Sequence, residues 1–364
     1  MRTFDVVLST ISLAQAAPRS SFSSEPIWTE KWTNDWMERW QHELTLSGGG
    51  NWEFQYYNNN RTNSHVENNQ LILKPGLLSE LNGEDFLWTG NLNIWGGSDA
   101  DACTQNEWYG CERQGSGSNY LNPITSARVR SSKSFSFKYG RIEFEAKMPR
   151  GDWLWPAIWL LPEHQAYGKW PASGEIDIIE ARGNQAYTCD GQELGIRCAG
   201  SALHYGPYWA MDHYYSQTGE KCLETGDFSS SFHKFTMDWT PDSIEIYYDD
   251  ELIQRTAPSD EGGFWEEGDF PSGMVDPWRY SDNHKMAPFD QKFYLIMNVA
   301  VGGTGGYFPD SCYNINGGKP WSNQSPTAAK DFWNGKGMWM NTWDMEGYGS
   351  AMQVKEINVY DYIQ

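Results

Sequence analysis

The sequence predicts an all-β fold, a sandwich of antiparallel sheets, on three observations. Period-two alternation of apolar and polar residues recurs from about residue 50 to the end of the 364-residue chain, and that period sends one face of each segment into a core. Clusters of Gly, Pro, Asn and Ser separate these segments, as turns between strands require. Apolar stripes at helical spacing are scarce, so a parallel sheet built from alternating strands and helices is not expected.

Along the chain, Arg141 to Met148, Ser243 to Tyr248 and Met352 to Tyr360 each read as a strand with one buried face. Residues 293–301 are nearly all apolar, as a strand covered on both sides would be. The following Gly302-Gly303-Thr304-Gly305-Gly306 lacks the Gly-Lys-Ser/Thr ending of a phosphate loop and reads as a turn. No internal repeat, linker or low-complexity run divides the chain, so one domain over residues 25–364 is expected. The length beyond a minimal sandwich falls in loops at about 92–120, 184–200, 258–290 and 308–340, and long loops in a compact domain are often functional.

Composition narrows the ligand. With 27 Lys and Arg against 48 Asp and Glu the net charge is −21, which argues against nucleic acid and against anionic membranes, since both call for clustered basic surface. Aromatic residues make up 15% of the chain, with 20 Trp and 20 Tyr, while charged residues are only 21%. Such a surface suits ligands that stack and hydrogen-bond, as sugars do.

Arg2, the apolar stretch from Val6 to Leu13 and the small-residue pattern Ala14-Gln15-Ala16 read as a secretory signal peptide over residues 1–16, with Asp5 a departure from the usual pattern. No other stretch approaches the ~18 apolar residues of a membrane span, so a soluble, extracellular monomer is expected. Six cysteines fit an oxidising compartment and allow 15 pairings. Local pairing is expected for Cys103 with Cys111 and for Cys189 with Cys198, leaving Cys222 with Cys312. No Cys/His spacing suggests zinc. Asn60-Arg61-Thr62 and Asn323-Gln324-Ser325 are glycosylation sequons, the second weakened by Pro326.

The segment that carries chemistry is Gly174-Glu175-Ile176-Asp177-Ile178-Ile179-Glu180. Its three isoleucines argue for strand. On a regular strand Glu175 and Asp177 share a face, whereas Glu180, an odd step away, falls on the other. A bulge between Asp177 and Glu180 would return the third acid to the face of the first two, and that bulge is expected. Three carboxylates on one face repel one another, which a purely structural strand would rarely keep. Retaining glycoside hydrolysis needs such a pair, one carboxylate as nucleophile and a second as acid then base, ~5 to 5.5 Å apart. The alternative is a solvated edge strand whose acids face water. Asp177 between the two could bias which of them holds the proton.

Upstream, Trp153-Leu154-Trp155-Pro156-Ala157-Ile158-Trp159 offers indoles at alternating positions. Pro156 suggests an edge or a bend, where Trp155, and after it Trp153, could stack on a pyranose ring; core filling is the competing reading. His204, in Leu203-His204-Tyr205-Gly206, could reach the same cleft, and Asn51 and Arg128 are possible hydroxyl partners.

Together these segments resemble glycoside hydrolase family 16, and within it the endo-1,3-β-glucanases, or laminarinases, of the animal type. The resemblance rests on Trp155 to Pro162, the E-x-D-x-x-E spacing from Glu175 to Glu180, Ser126 to Arg130, Tyr139 to Glu143, Leu203 to Gly206, Pro288-Phe289-Asp290, Asn298 to Gly303 and Ala351 to Val354. It implies a β-jelly-roll with a concave sugar cleft and hydrolysis of β-1,3-glucan with retained configuration. Glu175 would be the nucleophile, Asp177 its assisting acid and Glu180 the acid/base; Asn51, Arg128, Trp153, Trp155 and His204 would contact glucan. No cofactor is required, although a structural calcium on the convex face is possible. The resemblance also admits galactan-active, agarase-like hydrolases and non-catalytic glucan-recognition proteins, whose catalytic glutamates are replaced; here all three acids are present.

Overall fold

The computed structural model describes residues 21–363, and the expected signal segment, residues 1–16, lies outside them. Two antiparallel sheets face each other. One has eight strands, in the order Glu251–Thr256, Ile244–Tyr248, His233–Trp239, Gly140–Lys147, Met352–Tyr360, Gln70–Leu73 and Ser64–Glu67, with Trp28–Glu30 also pairing the C-terminal strand. The other has seven, in the order Thr218–Cys222, Cys198–His204, Glu175–Ala181, Leu154–Pro162, Phe293–Val301, Arg128–Arg130 and Gln41–His42. A parallel pair does occur outside these sheets, between Gln55–Tyr57 and Ile124–Ser126. Helices among the described residues are short, the longest α-helix being Ala328–Asn334, and none is long and apolar enough to cross a membrane.

The period-two pattern explains the packing. Ile142, Phe144 and Ala146 of one sheet meet Ile158, Leu160, Ile176, Leu203, Met297 and Val299 of the other in a single apolar cluster. Alternate residues of the seven-stranded sheet therefore point away from the core, onto an open face. Within Phe293–Val301 every residue but Tyr294 is buried, as its apolar run implies. Gly302 then turns the chain at φ 63°, where a Cβ would stand 2.3 Å from the Phe54 ring.

Two expectations need correction. The disulfides are Cys103–Cys111, Cys189–Cys312 and Cys198–Cys222, so only the first follows the local pairing. Strand register decides the other two. Cys198 and Cys222 are direct cross-strand partners, and the strand Tyr187–Cys189 pairs with Tyr313–Asn314, which brings Cys312 to Cys189. Pro156 lies on the central strand of the seven, not at an edge. The ladder toward the Glu175 strand begins at Ala157 opposite Glu180, so Pro156 stands just past its end.

Candidate active site

The bulge lies where the acid spacing requires it. Glu175 is opposite His204 and Asp177 opposite Ala202, but Glu180 is opposite Gly200, so three steps on one strand match two on its neighbour. The same irregularity shows against the Trp155 strand, where Ile158 faces Ile179 and Trp159 faces Asp177. Ile178 and Ile179 are consecutive and both fully buried, in keeping with the extra residue that the bulge inserts. The Tyr248 hydroxyl, from the opposite sheet, donates to the Ile178 carbonyl at 2.8 Å and so satisfies a backbone group at the irregularity. Glu175, Asp177 and Glu180 thus share the open face.

Each glutamate is held by an indole. Trp170 Nε1 donates to Glu175 Oε2 at 2.9 Å, and Trp155 Nε1 donates to Glu180 Oε1 at 2.7 Å. Trp155 in turn stacks on Tyr307 with centroids 3.9 Å apart and planes at 3°, which fixes the donor that orients Glu180. His204 binds the centre of the group. Its Nδ1 is 2.7 Å from Asp212 Oδ2, and its Nε2 is 3.2 Å from Asp177 Oδ2 and 3.9 Å from Glu175 Oε1. Tyr214 stacks on the imidazole, centroids 5.1 Å apart. The approach to Asp177 is ionic rather than a directed hydrogen bond, since Asp177 Oδ2 has no well-aligned donor.

Electrostatics follow from this crowding. Burial, and then the charge of Asp177, raise Glu175 to about 8 and Glu180 to about 7. For His204 burial opposes the charge, but Asp177, Asp212 and Glu175 outweigh it and hold the imidazole well above its ordinary value. With carboxylate oxygens at both ring nitrogens it stands as an imidazolium. Asp177 acts on both glutamates, and Glu175 is not the more acidic of the two. The His204 cation, which faces Glu175 across the strand pair, lowers the proton affinity of both glutamates but does not outweigh burial and the charge of Asp177. The arrangement can keep one proton near neutral pH and offer a carboxylate beside it.

The other expected contacts divide. Trp155 is half-buried on the open face. Trp153 is not on it: 1% exposed, it packs edge-on among Tyr187, Phe308 and Trp321. Its φ of 70° breaks the alternation just before the strand starts at Leu154, which turns the indole into the core. Arg128 reaches the open face but is already engaged, 3.4 Å from Glu43 and over the Tyr57 ring at 4.6 Å, with Nε unpartnered. Asn51 sits in the loop beyond, its carbonyl accepting from the Thr304 and Gly305 amides and its Nδ2 3.4 Å from Glu53. Trp170, Tyr307, Asp212 and Tyr214 were not singled out from sequence. Of these only Trp170 carried a signal, standing five residues before Glu175.

Metal ions are held where several Asp, Glu, His or Cys side chains converge. Among the described residues the one cluster of three is Glu175, Asp177 and His204, whose closeness their mutual ion pairs explain.

Comparison with known proteins matches this geometry. The family model described as glycosyl hydrolases family 16 matches residues 102–276. The chain is 49% identical over 326 residues to the "Beta-1,3-glucan-binding protein" of Penaeus monodon, covering 88% of this chain and 86% of that protein. It is 30% identical over 325 residues to the "Glucan endo-1,3-beta-glucosidase" of Cryptopygus antarcticus, covering 87% and 89%. In fold it is similar to the laminarinase catalytic domain of Thermotoga maritima, with a TM-score of 0.57, 24% identity and 94% and 100% coverage. A sandwich of this topology, the acid spacing it displays and relatives matched along most of both chains lead to one assignment: the chain belongs to glycosyl hydrolase family 16.

Proposed function

We propose that the protein is a secreted, retaining endo-1,3-β-glucanase acting on laminarin-like glucans. One observation carries the reading: a bulged strand turns Glu175, Asp177 and Glu180 to one face, with both glutamates raised in proton affinity by burial and by Asp177. Glu175, in its carboxylate form beside the His204 cation, attacks the anomeric carbon while Glu180 gives its proton to the departing glycosidic oxygen. Water then enters, Glu180 takes its proton, and the glycosyl bond to Glu175 breaks with the configuration restored. Asp177 couples the two glutamates through its charge, and Trp155 orients Glu180. Three disulfides suit an oxidising, extracellular setting.

A second reading, a glucan-recognition protein without turnover, is favoured by the name of the Penaeus monodon relative. The two readings share the ligand and differ in chemistry. Retention of all three acids, each with a partner that orients or charges it, supports the enzyme. Glu175→Ser separates them: release of reducing sugar from laminarin should vanish while laminarin binding persists. A native protein that binds laminarin but releases no sugar would establish the second reading.

A further inference from the structure

The loop closed by Cys103–Cys111 carries exposed aromatic side chains that the proposed chemistry does not use. Trp108 is 45% exposed and Tyr109 78%, and Trp52, 54% exposed, meets Trp108 with ring centroids 6.3 Å apart. All three hold left-handed backbone, with φ of 49°, 61° and 52°. Such a conformation is unfavourable for a non-glycine residue, and it persists where surrounding structure imposes it. Here the half-buried Arg113 guanidinium donates to the Trp108 carbonyl at 3.0 Å. The three rings border a cavity of about 380 Å³ whose wall includes amide and hydroxyl groups of Asn119 and Thr304. Exposed rings beside a largely apolar cavity that also presents polar side chains are what a sugar chain needs, since pyranose C–H faces stack while the hydroxyls bond.

The cavity wall is linked along the chain to the catalytic face. The Thr304 amide donates to the Asn51 carbonyl at 2.7 Å, and three residues later Tyr307 stacks on Trp155, the holder of Glu180. We propose that Trp52 and Trp108 form an outer platform that takes the distal glucose units of a long, neutral β-glucan chain whose cleaved linkage lies at Glu175 and Glu180. The platform sets preference for chain length and rests on the glucan reading above. Because a stacked ring contributes beyond its buried area, removing one should weaken long-chain binding by roughly tenfold.

The test is calorimetric titration of Glu175→Gln protein, in which substrate survives, with laminaritriose and with a long laminari-oligosaccharide, alone and combined with Trp108→Ala or Trp52→Ala. Both rings are exposed, so neither change opens a core cavity. The platform requires roughly tenfold weaker binding of the long chain with laminaritriose affinity unchanged. Equal loss for both lengths, or no loss for either, overturns it. If Glu175→Gln protein with both tryptophans intact binds neither sugar, the glucan reading falls together with the platform.

Discussion

Tyr248 and Ile178, on opposite sheets, are joined across the core by a 2.8 Å hydrogen bond from the phenol to the carbonyl at the bulge. The bond supports the irregularity that lets Glu180 face the same way as Glu175. Tyr248→Phe keeps the ring and orphans the carbonyl, so the protein should lose ~1 to 3 kcal/mol. Urea denaturation measures this, and an unchanged midpoint and slope would show that the bulge does not depend on the bond.

The charge of Asp177 raises both glutamates, and activity should fall as pH climbs through about 7 to 8, where the proton donor is lost. Removing the charge with Asp177→Asn lowers both values, so the alkaline limb of kcat/KM should move to lower pH. A limb that stays in place or moves upward contradicts the coupling. Stability has the same sign. The folded-state values of Glu175 and Glu180 lie above those of an unfolded glutamate, so their contribution is full below about pH 4.5 and is lost as pH rises toward 8.

Asp212 reaches Glu175 only through His204, which makes it a positioning residue. Asp212→Asn weakens the imidazolium, and because that cation lowers the proton affinity of Glu175, the acid limb of kcat/KM should shift to higher pH. Asp212→Glu, which keeps the charge, should restore the limb. A fall in rate with no shift in profile would mark a merely structural residue.

The two sequons differ in access. Asn60 lies in an exposed turn, its Oδ1 accepting from the Thr62 amide. Asn323 is half-buried, its Nδ2 donating to the Phe308 carbonyl at 3.0 Å and its side-chain oxygen meeting Lys319. Expression through a eukaryotic secretory pathway should therefore modify Asn60 and leave Asn323 bare. Peptide mass spectrometry before and after deglycosylation reads this directly, and a glycan at Asn323 would contradict it.

How much was legible in the sequence depended on range. The bulge could be read locally, because an odd step between acids on an isoleucine-rich strand admits few solutions. The apolar run before Gly302 likewise announced a strand buried on both faces. Trp153 misled because its left-handed backbone reverses the side that alternation assigns. The Cys189 and Cys198 pairings depend on registers set by strands up to 123 residues away, which no local pattern encodes. Asp212 and Tyr307 reach the site from loops and Tyr214 from a single 3-10 turn, where spacing says nothing about direction.

The most direct measurement follows the first sugar released from a laminari-oligosaccharide by proton NMR, before mutarotation mixes the anomers. A nucleophilic Glu175 paired with Glu180 requires the β-anomer to appear first. An initial α-anomer, or no hydrolysis by native protein that binds the glucan, would contradict the roles given to these two residues.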